Sequence, residues 1–64
     1  MALDNYDKAI IHFLANTGEA TVNTIADKLK LSWSTVKQHV VKLYHLHYLI
    51  PRKEGSTVYW DVPR

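Results

Sequence analysis

The chain contains no cysteine, only two glycines and two prolines, and a single phenylalanine. No apolar run approaches the ~20 residues that a membrane-crossing helix needs. Each shortage excludes something. Without cysteine there are no disulfides and no thiolate metal sites, so a reducing interior is acceptable and the cytoplasm is the expected location. With glycine this rare, a phosphate-cradling glycine loop and a G-x-S-x-G nucleophile elbow are both missing. The opening MALDNYDK is acidic and polar rather than basic and apolar, so no signal peptide is expected. A chain of 64 residues buries only about 60% of its unfolded surface, which leaves little for an enzyme pocket. One domain spanning 1–64 is expected, since no repeat, low-complexity tract or linker divides it.

Charge is unevenly placed. The first thirty residues set Lys8, Lys28 and Lys30 against Asp4, Asp7, Glu19 and Asp27. The remainder sets Lys37, Lys42, Arg52, Lys53 and Arg64 against only Glu54 and Asp61, and adds His39, His45 and His47. A basic second half suits a polyanionic partner, although a pI near 9.1 from so few charges is also ordinary variation.

Periodicity supplies the elements. Asp4 reads as an N-cap with Asp7 reaching back, and Tyr6, Ala9, Ile10 and Phe13 form a stripe widened by Leu14 before Gly18 stops the helix. Ile11 lies off the stripe, where it either broadens the core face or joins a self-association surface. Thr21 caps a second helix from Val22 to about Lys30, with Val22, Ile25, Ala26 and Leu29 on one side. Leu31 plugs the turn, Ser32 caps the third helix, and the stretch from Trp33 to Leu46 has no breaker. His47 stands where a glycine would be the easy exit, so either the helix ends differently or His47 tolerates a left-handed backbone. Tyr48-Leu49-Ile50 begins a β segment, Lys53-Glu54-Gly55-Ser56 turns it, and Thr57 to Val62 returns, with Val58, Trp60 and Val62 on the apolar face. The expected fold is mainly α with a small β-hairpin: a winged helix-turn-helix of three helices plus a two- or three-stranded wing.

The segment LKLSWSTVKQHVVKL, Leu29 to Leu43, carries the functional reading. Val36, Val40 and Leu43 face a core, while Ser34, Lys37, Gln38, Val41 and His45 fall opposite, flanked by Thr35 and Lys42. Gln pairs with adenine in two bonds, Lys donates to guanine acceptors, and Val41 offers a methyl contact to thymine. Ser34 and Thr35 suit phosphate oxygens. Behind them, Arg52 and Lys53 at the hairpin tip and Tyr59 on its outer face are candidates for backbone phosphates or a minor groove. Trp33 is expected to pack, and Trp60 to anchor the wing in the core. A metal reading of His45-x-His47 with His39 and His12 is weak, because no H-x-x-x-H pair or cysteine accompanies it. His39 reads better as a partly buried residue with a hydrogen-bond partner. No cofactor or metal site and no small-molecule effector site is expected.

The runs LDNYDKAIIHFL, TVNTIADKLKLSWSTVKQHVVKLYHLHYLI and GSTVYWDV together resemble the winged helix-turn-helix domains of prokaryotic transcription regulators of the ArsR, MarR and Lrp groups. Leu3-Asp4 with Asp7, Ile10, Ile11 and Leu14 is Lrp-like. Leu31-Ser32, Ser34-Thr35-Val36, His39-Val40 and Leu43 are similar to the shared recognition-helix signature, and Gly55 with Tyr59-Trp60 to the wing. This resemblance implies binding of double-stranded DNA by a transcription regulator that is cytoplasmic and nucleoid-associated, often as a homodimer on half-sites about 34 Å apart. Winged helices that bind Z-form nucleic acid also place a tryptophan where Trp60 stands. This chain has Lys37 and Val41 where those show Asn and Tyr, and it lacks their paired prolines, so ordinary duplex is preferred. The alternatives are a protein-interaction winged helix, or an accessory domain of a larger replication or transcription protein.

Overall fold

Residues 3–64 are described by a computed structural model in which three helices precede an antiparallel hairpin: α1 Asn5–Thr17, α2 Val22–Leu29, α3 Trp33–His45, β1 Ile50–Glu54 and β2 Thr57–Asp61. Each helix starts where a short polar side chain takes up an orphan amide. Asp4 accepts from the Asp7 N–H, Thr21 from the Thr24 N–H and Ser32 from the Thr35 N–H. Such a cap is worth about 1 kcal/mol. At α1 the cap is reciprocal, since the Asp4 N–H also donates to Asp7 Oδ2 at 3.1 Å.

The helix exits are less conventional. Lys30 ends α2 in the left-handed region at φ 59. His47 does the same after α3 at φ 69, with its N–H donating to the Tyr44 carbonyl and the Tyr48 N–H to the Leu43 carbonyl. That pair of bonds is the Schellman arrangement, which ordinarily has glycine at its left-handed position. Two backbone bonds and the return of buried Leu49 to the core hold a side chain where glycine would be unstrained.

The core gathers one face from each helix and from β2. Ile10 and Leu14 of α1, Val22, Ile25 and Ala26 of α2, and Val36, Val40 and Leu43 of α3 are buried together with Leu49 and Trp60. Ile11 and Phe13 pack at its margin. Ile11 therefore broadens the core face. The expected α1 stripe is rotated, however, since Tyr6 and Ala9 are exposed and the inward positions are Asp7, Ile10 and Leu14. A buried carboxylate occupies a place that apolar periodicity alone would give to a hydrophobe.

In the hairpin, Glu54 pairs with Thr57, Lys53 with Val58, Arg52 with Tyr59, Pro51 with Trp60 and Ile50 with Asp61. Gly55 opens the two-residue turn at φ 61, the conformation a type II′ hairpin needs at that place. Cross-strand partners share a face. Pro51, Lys53, Val58 and Trp60 therefore look towards the helices, while Ile50, Arg52, Tyr59 and Asp61 look away from that side. On its other edge β2 is joined only by Ala20, whose N–H and carbonyl both bond to Trp60 at 3.0 and 2.8 Å. The third strand of the wing is thus a single residue. Strand β1 starts at Ile50 rather than Tyr48, because Leu49 is turned into the core. Among the described residues no helix is long and apolar enough to cross a membrane.

Candidate nucleic-acid interface

At about 100° per residue, α3 has four sides, and the contacts agree with the geometry. Val36, Val40 and Leu43 face the core. Ser34, Gln38, Val41 and His45 project outward, all exposed except Val41, which is half-buried. Thr35, His39 and Lys42 form the flank towards α1. Trp33, Lys37 and Tyr44 form the flank towards the hairpin, where the Lys37 ammonium lies 6.0 Å from the Trp60 ring centroid and Tyr44 meets the same indole edge-on at 6.0 Å. The helix contains no acidic residue, so nothing on its outward side repels a phosphate.

On the α1 flank the polar groups are committed to one another. Asp7 is fully buried, yet its carboxylate receives Lys42 Nζ at 2.6 Å and the His39 Nδ1–H at 2.7 Å, besides the Asp4 amide. Burial pushes this carboxyl up. Hydrogen bonds from Lys42, His39 and the Asp4 backbone, with the Lys42 charge, more than reverse that effect and hold it at about 2. The same bond raises Lys42 above the usual ammonium range. The Tyr6 ring covers His39 at 5.5 Å between centroids. No buried side-chain donor or acceptor among the described residues lacks a partner. His39 thus has the hydrogen-bond partner expected for it.

Asp4, Asp7 and His39 also bring three potential metal-ligand atoms within 4.8 Å of one another. The Lys42 ammonium already supplies a cation to that carboxylate at 2.6 Å, so the chemistry is that of an ion-paired strut between α1 and α3. His45 and His47, the pair with chelate-like spacing, do not take part.

Arg52 and Lys53, expected at the hairpin tip, lie within β1 and are divided between its two faces, because the turn is only Gly55-Ser56. Lys53 shares the face of Val58 and Trp60, beside α3. Arg52 lies on the reverse with Tyr59, its guanidinium carbon 4.8 Å from that ring centroid. Two nitrogens of Arg52 grip Glu19 at 2.8 and 2.7 Å while a third donates to Glu54 at 2.6 Å. The bond from Arg52 holds Glu19 below the usual carboxylate range, and the bonds to Glu19 and then Glu54 raise the guanidinium.

Of the ten residues expected at the interface, the structure therefore places Ser34, Lys37, Gln38, Val41 and His45 on the outward and hairpin-facing sides of α3, and Lys53 on the hairpin face that bears Val58 and Trp60. It puts Lys42 on Asp7, and it puts the Thr35 hydroxyl 2.8 Å from the Ser32 cap that bonds it. Arg52 and Tyr59 are on the other face of the hairpin. Sequence reasoning missed Asp7 as a buried group. The available signal was the i, i+3, i+7 spacing of Asp7, Ile10 and Leu14, matched by His39 and Lys42 three apart on α3.

Between α3 and the hairpin lies an open cleft of about 320 Å³. Trp33 and Lys37 form one wall, Val58 and Trp60 the opposite one, and Ser56 and Thr57 of the turn close an end. Trp33 was expected to pack, but it remains 52% exposed, because it points to this cleft from the first turn of α3.

A family model described as winged helix-turn-helix DNA-binding matches residues 3–43. The chain belongs to the winged helix-turn-helix DNA-binding family. It is 36% identical over 47 residues to an uncharacterised HTH-type transcriptional regulator of Methanocaldococcus jannaschii, a match covering 73% of this chain and 12% of that protein. Among solved structures, it is similar to the Zα domain of Carassius auratus PKZ in complex with Z-DNA. That likeness has a TM-score of 0.82 and 31% identity over 91% of this chain and 92% of the other. It is equally similar in sequence to the transcriptional regulator HlyU of Vibrio vulnificus, with a TM-score of 0.87 and 31% identity over 95% of this chain and 62% of that one. The chain spans only part of the length of these regulators, and what the family model shows of it is a winged helix-turn-helix DNA-binding module.

Proposed function

We propose that the domain binds double-stranded DNA in a transcription regulator, with α3 in the major groove. In this reading Lys37 and Gln38 meet base edges, Val41 meets a thymine methyl, Ser34 and His45 touch the strands at the two ends of the helix, and Lys53 holds a flanking phosphate. The observation that carries it is the outward side of α3. Ser34, Gln38 and His45 stand exposed there with no acidic neighbour on the helix, while Lys42 is tied to Asp7 and Lys37 lies at the border with the hairpin. Two copies on paired half-sites would give a palindromic operator. Selection from random duplexes tests this directly. An enriched motif supports readout by α3, and absence of any enrichment with retained binding contradicts it.

A second reading, left-handed DNA, is favoured by one specific observation. The goldfish domain solved with Z-DNA shares 31% identity and nearly full mutual coverage. In this chain Trp60 is met edge-on by Tyr44, although Lys37 and Val41 replace the residues that reading expects on the helix. Circular dichroism of an alternating CG duplex separates the two. Inversion of its long-wavelength bands on adding protein supports the left-handed form, and an unchanged right-handed spectrum with binding supports the first reading.

A further inference from the structure

The cleft between α3 and the hairpin borders Lys37 and Trp60, which the two readings above use, and adds Trp33, which neither uses. Trp33 presents a flat ring at 52% exposure in a chain whose other tryptophan is 6% exposed. An exposed indole at the edge of a recess offers a flat apolar face on which another ring can stack. On the same wall Lys37 brings an ammonium 6.0 Å from the Trp60 ring opposite, and Ser56 and Thr57 add hydroxyls at the closed end. A ring for stacking, a cation and two hydroxyls within about 320 Å³ match the parts of one nucleotide: a base, a phosphate and a sugar. The walls lack acidic residues, which agrees with an anionic occupant.

We infer that this cleft receives a single nucleotide whose base is unpaired, with the base stacked on Trp33 and its phosphate beside Lys37. A base inside a duplex cannot reach the ring, so the occupant is either an extrahelical or single-stranded position in DNA or a free nucleotide. The two sources share the same recognition chemistry. In DNA, the domain would prefer a duplex with a bulged or frayed position next to its site over a fully paired one. The inference shares Lys37 with the proposed function and rests in addition on Trp33, so variants of Trp33 separate the two.

The test compares affinities for a flush duplex, the same duplex carrying one extrahelical thymidine, and thymidine 5′-monophosphate, using the full 64-residue chain. Tryptophan fluorescence serves as a second readout. Stacking on one aromatic ring corresponds to about a 5- to 100-fold preference for the bulged duplex over the flush one. Trp33→Ala is expected to abolish that preference and leave flush-duplex affinity unchanged, whereas Trp33→Phe retains most of it. Quenching by the free monophosphate without a bulge preference would assign the cleft to a free nucleotide. Equal affinity for bulged and flush duplex with no quenching by the monophosphate overturns the inference, and so does a bulge preference that survives Trp33→Ala. Loss of flush-duplex binding in the wild type would instead count against the proposed function, so the two failures are distinguishable.

Discussion

The two flanks of α3 carry the same kinds of group and use them in opposite ways. Towards α1, Lys42 and His39 are locked onto the buried Asp7 carboxylate at 2.6 and 2.7 Å, with Tyr6 over the imidazole. Towards the hairpin, Lys37 rests near an indole at 6.0 Å with no carboxylate partner among the described residues, and Trp33 stands half in water. A lysine on a helix is therefore not by itself a DNA contact. What decides is whether the adjoining element offers a buried acid, since a charge pair desolvated on one side holds its members far more tightly than an exposed contact does. One flank fixes the helix in the domain, and the other remains free for a ligand.

Breaking the locked flank gives the largest expected effect. Asp7→Ala removes a fully buried carboxylate and strands Lys42 and His39. A buried pair broken this way costs about 3 kcal/mol, at the lower end of the usual range because the Lys42 side chain can swing to solvent. Urea unfolding measures it, and Lys37→Ala in the same assay is expected to shift stability by less than about 0.5 kcal/mol. Acid does the same job more gently. Because the Asp7 carboxyl titrates at about 2 in the fold against an ordinary 3.8, its contribution is complete above roughly pH 5 and is lost as pH falls towards 2. About 2 kcal/mol of stability should disappear over that window, read from thermal melts, and the Asp7→Ala protein should lack this part of the acid dependence.

The hairpin repeats the comparison at smaller scale. Lys53→Ala should weaken binding to all duplexes alike and reduce the salt slope by about 1, as loss of one phosphate contact does. Arg52→Ala should leave that slope unchanged, because its guanidinium is engaged by Glu19 and Glu54 on the reverse face. A salt slope altered equally by both would show that the two faces of the hairpin are not distinguished by DNA. The smallest effect concerns the end of α3. His47→Gly relieves a left-handed backbone at φ 69 and should stabilise the domain by about 1 kcal/mol without altering any DNA contact, as measured by a parallel rise in the melting temperature.

These contrasts mark where the sequence was readable. Caps and the core faces of α2 and α3 follow from local rules of spacing and turn chemistry, and Asp4, Thr21, Ser32 and Gly55 act as their types suggest, while the hairpin turn is tighter than expected, since Lys53 and Glu54 pair within β1. The outward group of Ser34, Gln38, Val41 and His45 was legible for the same reason, since a helix fixes which residues share a side. Pairings across large separations were not. Asp7 meets Lys42 thirty-five residues away and Arg52 meets Glu19 thirty-three away, and neither partner follows from local periodicity. Trp33 was misjudged because whether an aromatic at the first turn packs depends on how closely the hairpin approaches, and here it leaves a cleft.

The central claim is that the outward side of α3 reads bases, and Gln38→Ala tests it most directly. Binding is measured to a selected site and to variants of that site altered one base pair at a time, at fixed salt. The account expects the preference at one position to fall by about 1 to 3 kcal/mol while preferences elsewhere and non-specific affinity are retained. An equal loss on every sequence, or no loss at all, would contradict it.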